Sequence, residues 1–194
     1  MKLLCIIFII QLLKTTCYEI LPYTFNDTVI KYNFCYNINE NLRNTTIQIM
    51  TDYNGMDYNT LLITSDITKD VIQICNKSMD KDRYGYATFK QNDVLERSIK
   101  ISNSIMNYNN TLWNVMYHEI LHTVGLDHTV ISDNLMSYTV SLNYYYDVIP
   151  DIKRIYPGGD DLEALDYLYD GINESESINR NKIIKKLKKI CAIL

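Results

Sequence analysis

His118-Glu119-Ile120-Leu121-His122-Thr123-Val124-Gly125-Leu126-Asp127-His128 governs the reading of this chain. Side chains four apart lie on one face of an α-helix, so His118 and His122 turn two imidazoles toward one point. Gly125 lets the chain leave that helix with positive φ and swing back, which brings His128 toward the same point. All three histidines of the 194-residue chain fall in this one stretch, which a helix carrying scattered histidines would not explain. Three nitrogen donors leave the fourth position of a tetrahedral ion open, the donor set of a catalytic zinc site rather than a closed structural one. Zinc lowers the pKa of its bound water to about 7, and Glu119, beside the first histidine, is the general base that would take the proton and later give it to a leaving amine. The implied chemistry is hydrolysis of a peptide bond. The expected cofactor is one catalytic Zn2+, and the expected substrate is a protein or peptide.

The flanking residues predict the helix that carries the first two histidines. Asn110 or Thr111 is placed to cap its start, and Leu112, Trp113, Met116, Ile120 and Val124 gather on the side away from His118 and His122. One face is expected to pack while the other binds metal.

Leu135-Met136-Ser137-Tyr138 follows the third histidine. With the extended histidine motif it resembles the metzincin clan of zinc endopeptidases. The resemblance implies an α+β fold: a single catalytic domain with a twisted mixed sheet, an active-site helix, a Met-turn and a C-terminal helix. It makes Met136 the methionine of the Met-turn, lying beneath the metal without binding it. Tyr138 stands where astacin-like and serralysin-like members carry a tyrosine that ligates zinc as a fifth ligand and swings away; the alternative is a tyrosine of the pocket wall or the surface. Thr129, after the third histidine, is closer to the matrixin serine than to the astacin glutamate. The run from Asp160 to Gly171 resembles the matrixin C-terminal helix. From the residues alone it is a helix with Asp160 as N-cap, Glu163 completing a capping box, leucines at 162, 165 and 168, and Gly171 as stop. The resemblance covers most of residues 29–171 and is specific around the zinc motif.

There are departures from the matrixin pattern. No PRCGxPD-like cysteine switch is present, and only about a dozen residues separate the expected leader from the first strand, so no matrixin-style propeptide is expected. The motif uses all three histidines, which leaves none for a second, structural zinc. Acidic and Asn-rich loops such as Asp80 to Gly85 have the oxygen chemistry of a Ca2+ site and equally that of a solvated turn.

Between strand-like runs at Val29–Tyr36 and Val71–Cys75, Leu42, Ile49, Met50 and Tyr53 recur at helical spacing, with Asn39 or Asn41 as cap. Leu61–Thr64, Gly85–Phe89 and Arg97–Ile101 read as further strands. If the fold is metzincin-like, the first two strands are neighbours in the sheet, and a Cys35–Cys75 disulfide follows; two buried free thiols are the alternative. In related folds an edge strand before the active-site helix holds substrate by backbone pairing, and Tyr84–Phe89 is the candidate. Substrate preference would lie in the pocket lined by Val140 to Tyr156.

Composition fits one domain: 47% hydrophobic residues with only 6 Gly and 3 Pro leave no linker-like stretch. Lys2, the apolar run Leu3–Leu13 and Thr15-Thr16-Cys17 read as a signal peptide over residues 1–17, ahead of a catalytic domain at 18–172 and a basic tail at 173–194. A secreted, extracellular glycoprotein is expected, with sequons at Asn26, Asn44, Asn76, Asn109 and Asn173. Six of the 19 basic residues lie in the last fifteen positions with no acid among them, although the chain as a whole carries −4. Residues 180–194 form an amphipathic basic helix suited to an anionic surface, membrane lipid or glycosaminoglycan, or else to docking its apolar face on the domain. Nucleic acid is not an expected partner. Cys191-Ala192-Ile193-Leu194 also matches a prenylation signal, which belongs to a cytosolic chain and conflicts with a cleaved leader. Beside the protease reading stand two others, a silent zinc-binding decoy and a cytosolic prenylated membrane-anchored protein.

Overall fold

Ile30 and Tyr32, Ile72 and Ile74, and Ile99 and Ile101 are each two residues apart and almost wholly buried. That period places every one of them on the same face of a pleated sheet, with Lys31, Gln73 and Lys100 on the other. The computed structural model describes residue 21 and residues 29–56, 60–66, 71–80, 83–89, 97–129, 134–137 and 152–169. The expected leader 1–17, the tail 173–194, Tyr138, residues 140–151, Gly171, Cys191 and the sequons at Asn26 and Asn173 lie outside the described residues.

The elements run β1 (Val29–Phe34), α1 (Glu40–Asn54), β2 (Leu61–Thr64), β3 (Ile72–Lys77), β4 (Gly85–Phe89), β5 (Arg97–Ser102), a 3-10 turn (Asn103–Ile105), α2 (Asn109–Val124) and α3 (Gly159–Tyr169). The five strands form one mixed sheet in the order β2-β1-β3-β5-β4. β1 pairs in parallel with β2 and β3, and β3 with β5, whereas β4 runs antiparallel to β5 at the edge. Among the described residues the architecture is mixed α/β, a five-stranded mixed sheet with three helices, compatible with the expected α+β class. Among the described residues, no helix is long and apolar enough to cross a membrane.

α1 follows its sequence pattern. Asn39 is the cap, accepting from the N–H groups of Asn41 at 2.9 Å and Leu42 at 3.3 Å. Leu42, Ile49, Met50 and Tyr53 are buried together with Thr46, whose hydroxyl donates back to the Leu42 carbonyl at 2.7 Å. Asn54 ties the helix to β2 by accepting from Leu62 N–H and donating to Leu62 C=O, both at 2.8 Å.

Four expectations are corrected. Helix α2 begins at Asn109 after Tyr108, with no side-chain cap from Asn110 or Thr111. The helix is buried almost throughout: every residue from Thr111 to Val124 except the partly buried His118 is buried. The reason is a second cover: Asn114 donates to Lys153 C=O at 3.0 Å and accepts from Ile155 N–H at 2.8 Å, which holds that segment against the helix. α3 starts from Gly158, whose C=O receives Leu162 N–H at 3.0 Å and whose N–H donates to Asp161 at 2.9 Å. Asp161 is therefore the back-reaching acid of the cap, and the exposed Glu163 has no part in it. Lastly, β1 stops at Phe34 rather than Tyr36, and Cys75 sits inside β3 rather than at its end.

Cys35 and Cys75 form a disulfide, with Cα atoms 5.1 Å apart across adjacent parallel strands. Tyr32 joins the sheet to α2 through a 2.6 Å hydrogen bond with Thr123 in the core. β4 lies so close to α2 that a Cβ at Gly85 would meet Val115 Cγ1 at 2.6 Å, Ile101 Cδ1 at 3.1 Å and Glu119 Oε1 at 3.3 Å. Gly85→Ala is expected to destabilise the protein by about 1–3 kcal/mol, as overpacking does. Adding Val115→Ala should recover most of that loss, as thermal unfolding of the single and double variants will show.

Candidate metal centre

α2 ends in a Schellman motif. Gly125 is left-handed at φ 112°, its N–H reaches His122 C=O at 3.1 Å, and Leu126 N–H reaches Leu121 C=O at 3.1 Å. A side chain at residue 125 would be strained in that conformation, so the glycine read in the sequence does what its position demands. The chain then doubles back, and Asp127 accepts the His128 N–H at 2.8 Å.

The three imidazoles converge. His128 Nε2 lies 3.2 Å from His118 Nε2 and 3.2 Å from His122 Nε2. The rings of His118 and His122 are nearly perpendicular, at 88°, as are those of His122 and His128, at 86°. Each of the two helical histidines is oriented from behind. His118 Nδ1 is 2.7 Å from Leu135 C=O, and His122 Nδ1 is 2.8 Å from Leu126 C=O. A carbonyl only accepts, so each Nδ1 carries the proton and each Nε2 offers a lone pair. Burial, reinforced by the neighbouring imidazoles, holds His118 down at about 3, and burial holds His122 down at about 4. Both are therefore neutral, the form that ligates. The three histidines make a cluster able to hold one metal ion.

Glu119 is buried at 6% exposure on the next position of α2. Its carboxyl is pushed up to about 8 by burial, against which the Ala87 N–H and the Arg83 charge pull it down. The Ala87 contact has a topological cause. Ser102 N–H donates to Tyr84 C=O at 2.8 Å, and the register pairs Tyr86 with Lys100 and Thr88 with Ser98. In an antiparallel ladder the inward-bonded residues alternate, so the backbone groups of Gly85, Ala87 and Phe89 face the free edge. Glu119 thus sits beside the open rim of β4.

Met136 is buried in a tight turn below the third histidine in sequence. Thr129 N–H donates to Met136 C=O at 2.8 Å, and Met136 N–H donates to Asn134 Oδ1 at 3.1 Å. The turn carries Leu135, the residue that orients His118. Asn134 also donates to Asp160 at the start of α3, close to Asp161. Sequence reasoning missed this part of the site. Its signal was Asn134 ahead of Leu-Met, an Asx-turn former, and the paired acids, which had been read only as a cap. Tyr138 and residues 140–151 of the expected pocket wall lie outside the described residues; Lys153 to Tyr156 pack along α2, with Arg154 4.4 Å over the Trp113 ring.

No family model matches this chain, and no curated protein matches it.

Asp161 gives a test of the link from α3 to the turn. It is 2% exposed, and burial, with Asp160 pushing in the same direction, raises its carboxyl to about 7. The folded state therefore holds this proton more tightly than the unfolded state. Stability is favoured at low pH, falls as pH rises between the unfolded value near 3.8 and about 7, and stays reduced above that. Asp161→Asn keeps the acceptor for Gly158 and cannot ionise. Its melting temperature is expected to exceed that of wild type by several degrees at pH 8 and to converge with it near pH 4.

Proposed function

We propose that this chain is a secreted zinc-dependent metalloendopeptidase of metzincin-like architecture, closest to the matrixin pattern. One observation carries the reading: His128 Nε2 lies 3.2 Å from the Nε2 atoms of both His118 and His122, two neutral imidazoles that are each oriented by a carbonyl behind. Tetrahedral zinc with Zn–N bonds of about 2.05 Å requires nitrogens about 3.3 Å apart, which the two separations from His128 match, and the three donor atoms all lie within 4.8 Å of one another. His118, His122 and His128 are the proposed ligands, and three ligands leave a position for water or substrate.

When bound, zinc supplies a Lewis acid that polarises a carbonyl and acidifies water. The protein's own groups do the rest. In its ionised form Glu119 takes a proton from the attacking water and returns it to the nitrogen of the broken peptide bond, so that no net proton is consumed in the two transfers. The free edge of β4 holds the substrate backbone by strand addition, with Gly85, Ala87 and Phe89 offering N–H and C=O groups. Ala87 lies at the junction of the two functions, since its N–H is the group that Glu119 contacts. Met136 takes the Met-turn role, supporting the ligands from within the core. A leader at 1–17, glycans on exposed Asn44 and Asn109, and an anionic surface met by residues 180–194 belong to the same reading.

The experiment compares purified wild type, Glu119→Gln and His122→Ala on an unstructured protein substrate, with zinc measured in each. Wild type is expected to bind one zinc per chain and to cut, and a chelator is expected to stop it. Glu119→Gln should keep its zinc and lose about 10²–10⁴ in rate, the usual share of a general base. His122→Ala should lose both zinc and activity. A zinc-loaded wild type that cuts no member of a broad peptide library would overturn the protease reading in favour of a zinc-binding protein.

A further inference from the structure

None of the five strands contains an aspartate or glutamate, although the chain as a whole is acidic. The strands carry Lys31, Lys77, Arg97 and Lys100 instead. Three cations meet at one ring. Lys77 Nζ from β3, Arg83 just before β4 and Lys100 Nζ from β5 lie 5.8, 5.5 and 5.7 Å from the centre of Tyr86. Lys77 also donates to the Tyr86 hydroxyl at 3.4 Å. Among the described residues, no carboxylate pairs with any of the three. Like charges gathered over one aromatic ring repel each other, and the ring's quadrupole offsets only part of that.

The position of the ring gives the cluster a use. Ile99 and Ile101 are buried toward the helices, and the missing Cβ of Gly85 faces Val115. Lys100 and Tyr86 therefore stand on the opposite face of the sheet. Among the described residues β4 is the edge strand, so Tyr86 stands on the outermost strand of that face. Of the three cations, Arg83, just before the same edge strand, also acts through its charge on Glu119.

We infer that Arg83, Lys100 and Lys77, gathered on Tyr86, select peptide substrates that carry an acidic side chain at the position lying opposite Tyr86. The inference rests on the protease reading and deepens it. A strand added to β4 sits about 4.8 Å away and alternates its side chains between faces. Its residues opposite Gly85 and Ala87 point to the metal side. The residue opposite Tyr86 points to the outer face, with its Cβ about 5 Å from that of Tyr86, within reach of the cationic head groups. A carboxylate there would relieve the repulsion among three cations, none of which forms an ion pair with a described acid.

The test uses zinc-loaded Glu119→Ala and fluorescent decapeptides in which one glutamate is stepped through a neutral background. Binding is read by anisotropy at low and at high salt. The expected profile peaks at one register, about five- to tenfold tighter than the all-neutral peptide. The peak should fall toward unity in high salt, where exposed charges are screened, and in Arg83→Gln/Lys100→Gln on the same background. A flat profile, or a peak that the double variant retains, overturns the inference. So does a flat profile together with heparin binding that the double variant loses, which would assign the cluster to a sulfated polysaccharide. Wild-type cleavage of the same peptides separates the two levels. Cutting with a flat profile removes only the acidic preference, whereas neither binding nor cutting of any peptide removes the protease reading with it.

Discussion

Gly125 leaves α2 at φ 112°, and the two hydrogen bonds of that turn reverse the chain within three residues. The rest of the site depends on this reversal. Without it, His128 would continue along the helix and its Nε2 would not come within 3.2 Å of both His118 and His122. The same turn frees the Leu126 carbonyl to receive His122 Nδ1, so one backbone conformation brings in the third imidazole and fixes the tautomer of the second.

Burial does the remaining work. α2 is covered by the sheet on one side and by the segments around Leu135 and Ile155 on the other, which removes water from around His118, His122 and Glu119. Desolvation keeps the two histidines neutral and raises the affinity of Glu119 for a proton. The arrangement also links distant elements. α3 touches Asn134, Asn134 shapes the turn that carries Leu135, and Leu135 orients His118. Tyr169 at the far end of α3 donates to the Val124 carbonyl, so the same helix also holds the C-terminal end of α2.

Where the sequence was legible, the pattern was local. The period-two isoleucines of β3 and β5, the Asn39 cap and the four apolar positions of α1 follow from side-chain direction within one element. Expectations missed where the outcome depended on a partner from elsewhere in the chain. No periodicity in α2 announced that Lys153 and Ile155 would cover its second side, and Asp160 and Glu163 made as good a capping pair on paper as Gly158 and Asp161 make in the fold. The close approach of Gly85 to Val115 and Glu119 belongs to the same class, because a glycine in a strand reads only as a weak position until its neighbour is known.

The sequence by itself determined which atoms can meet at the histidine cluster. Spacing of four on a helix, a glycine three residues later and a histidine three beyond that are short-range facts, and backbone geometry converts them directly into three converging nitrogens. Only the tertiary structure decided what surrounds those atoms. The order β2-β1-β3-β5-β4 puts β4 at the rim, turns the Ala87 N–H toward Glu119 and collects Lys77, Arg83 and Lys100 on Tyr86. Strand order and register are set by the fit of whole elements across a shared core, and no local stretch of residues encodes them.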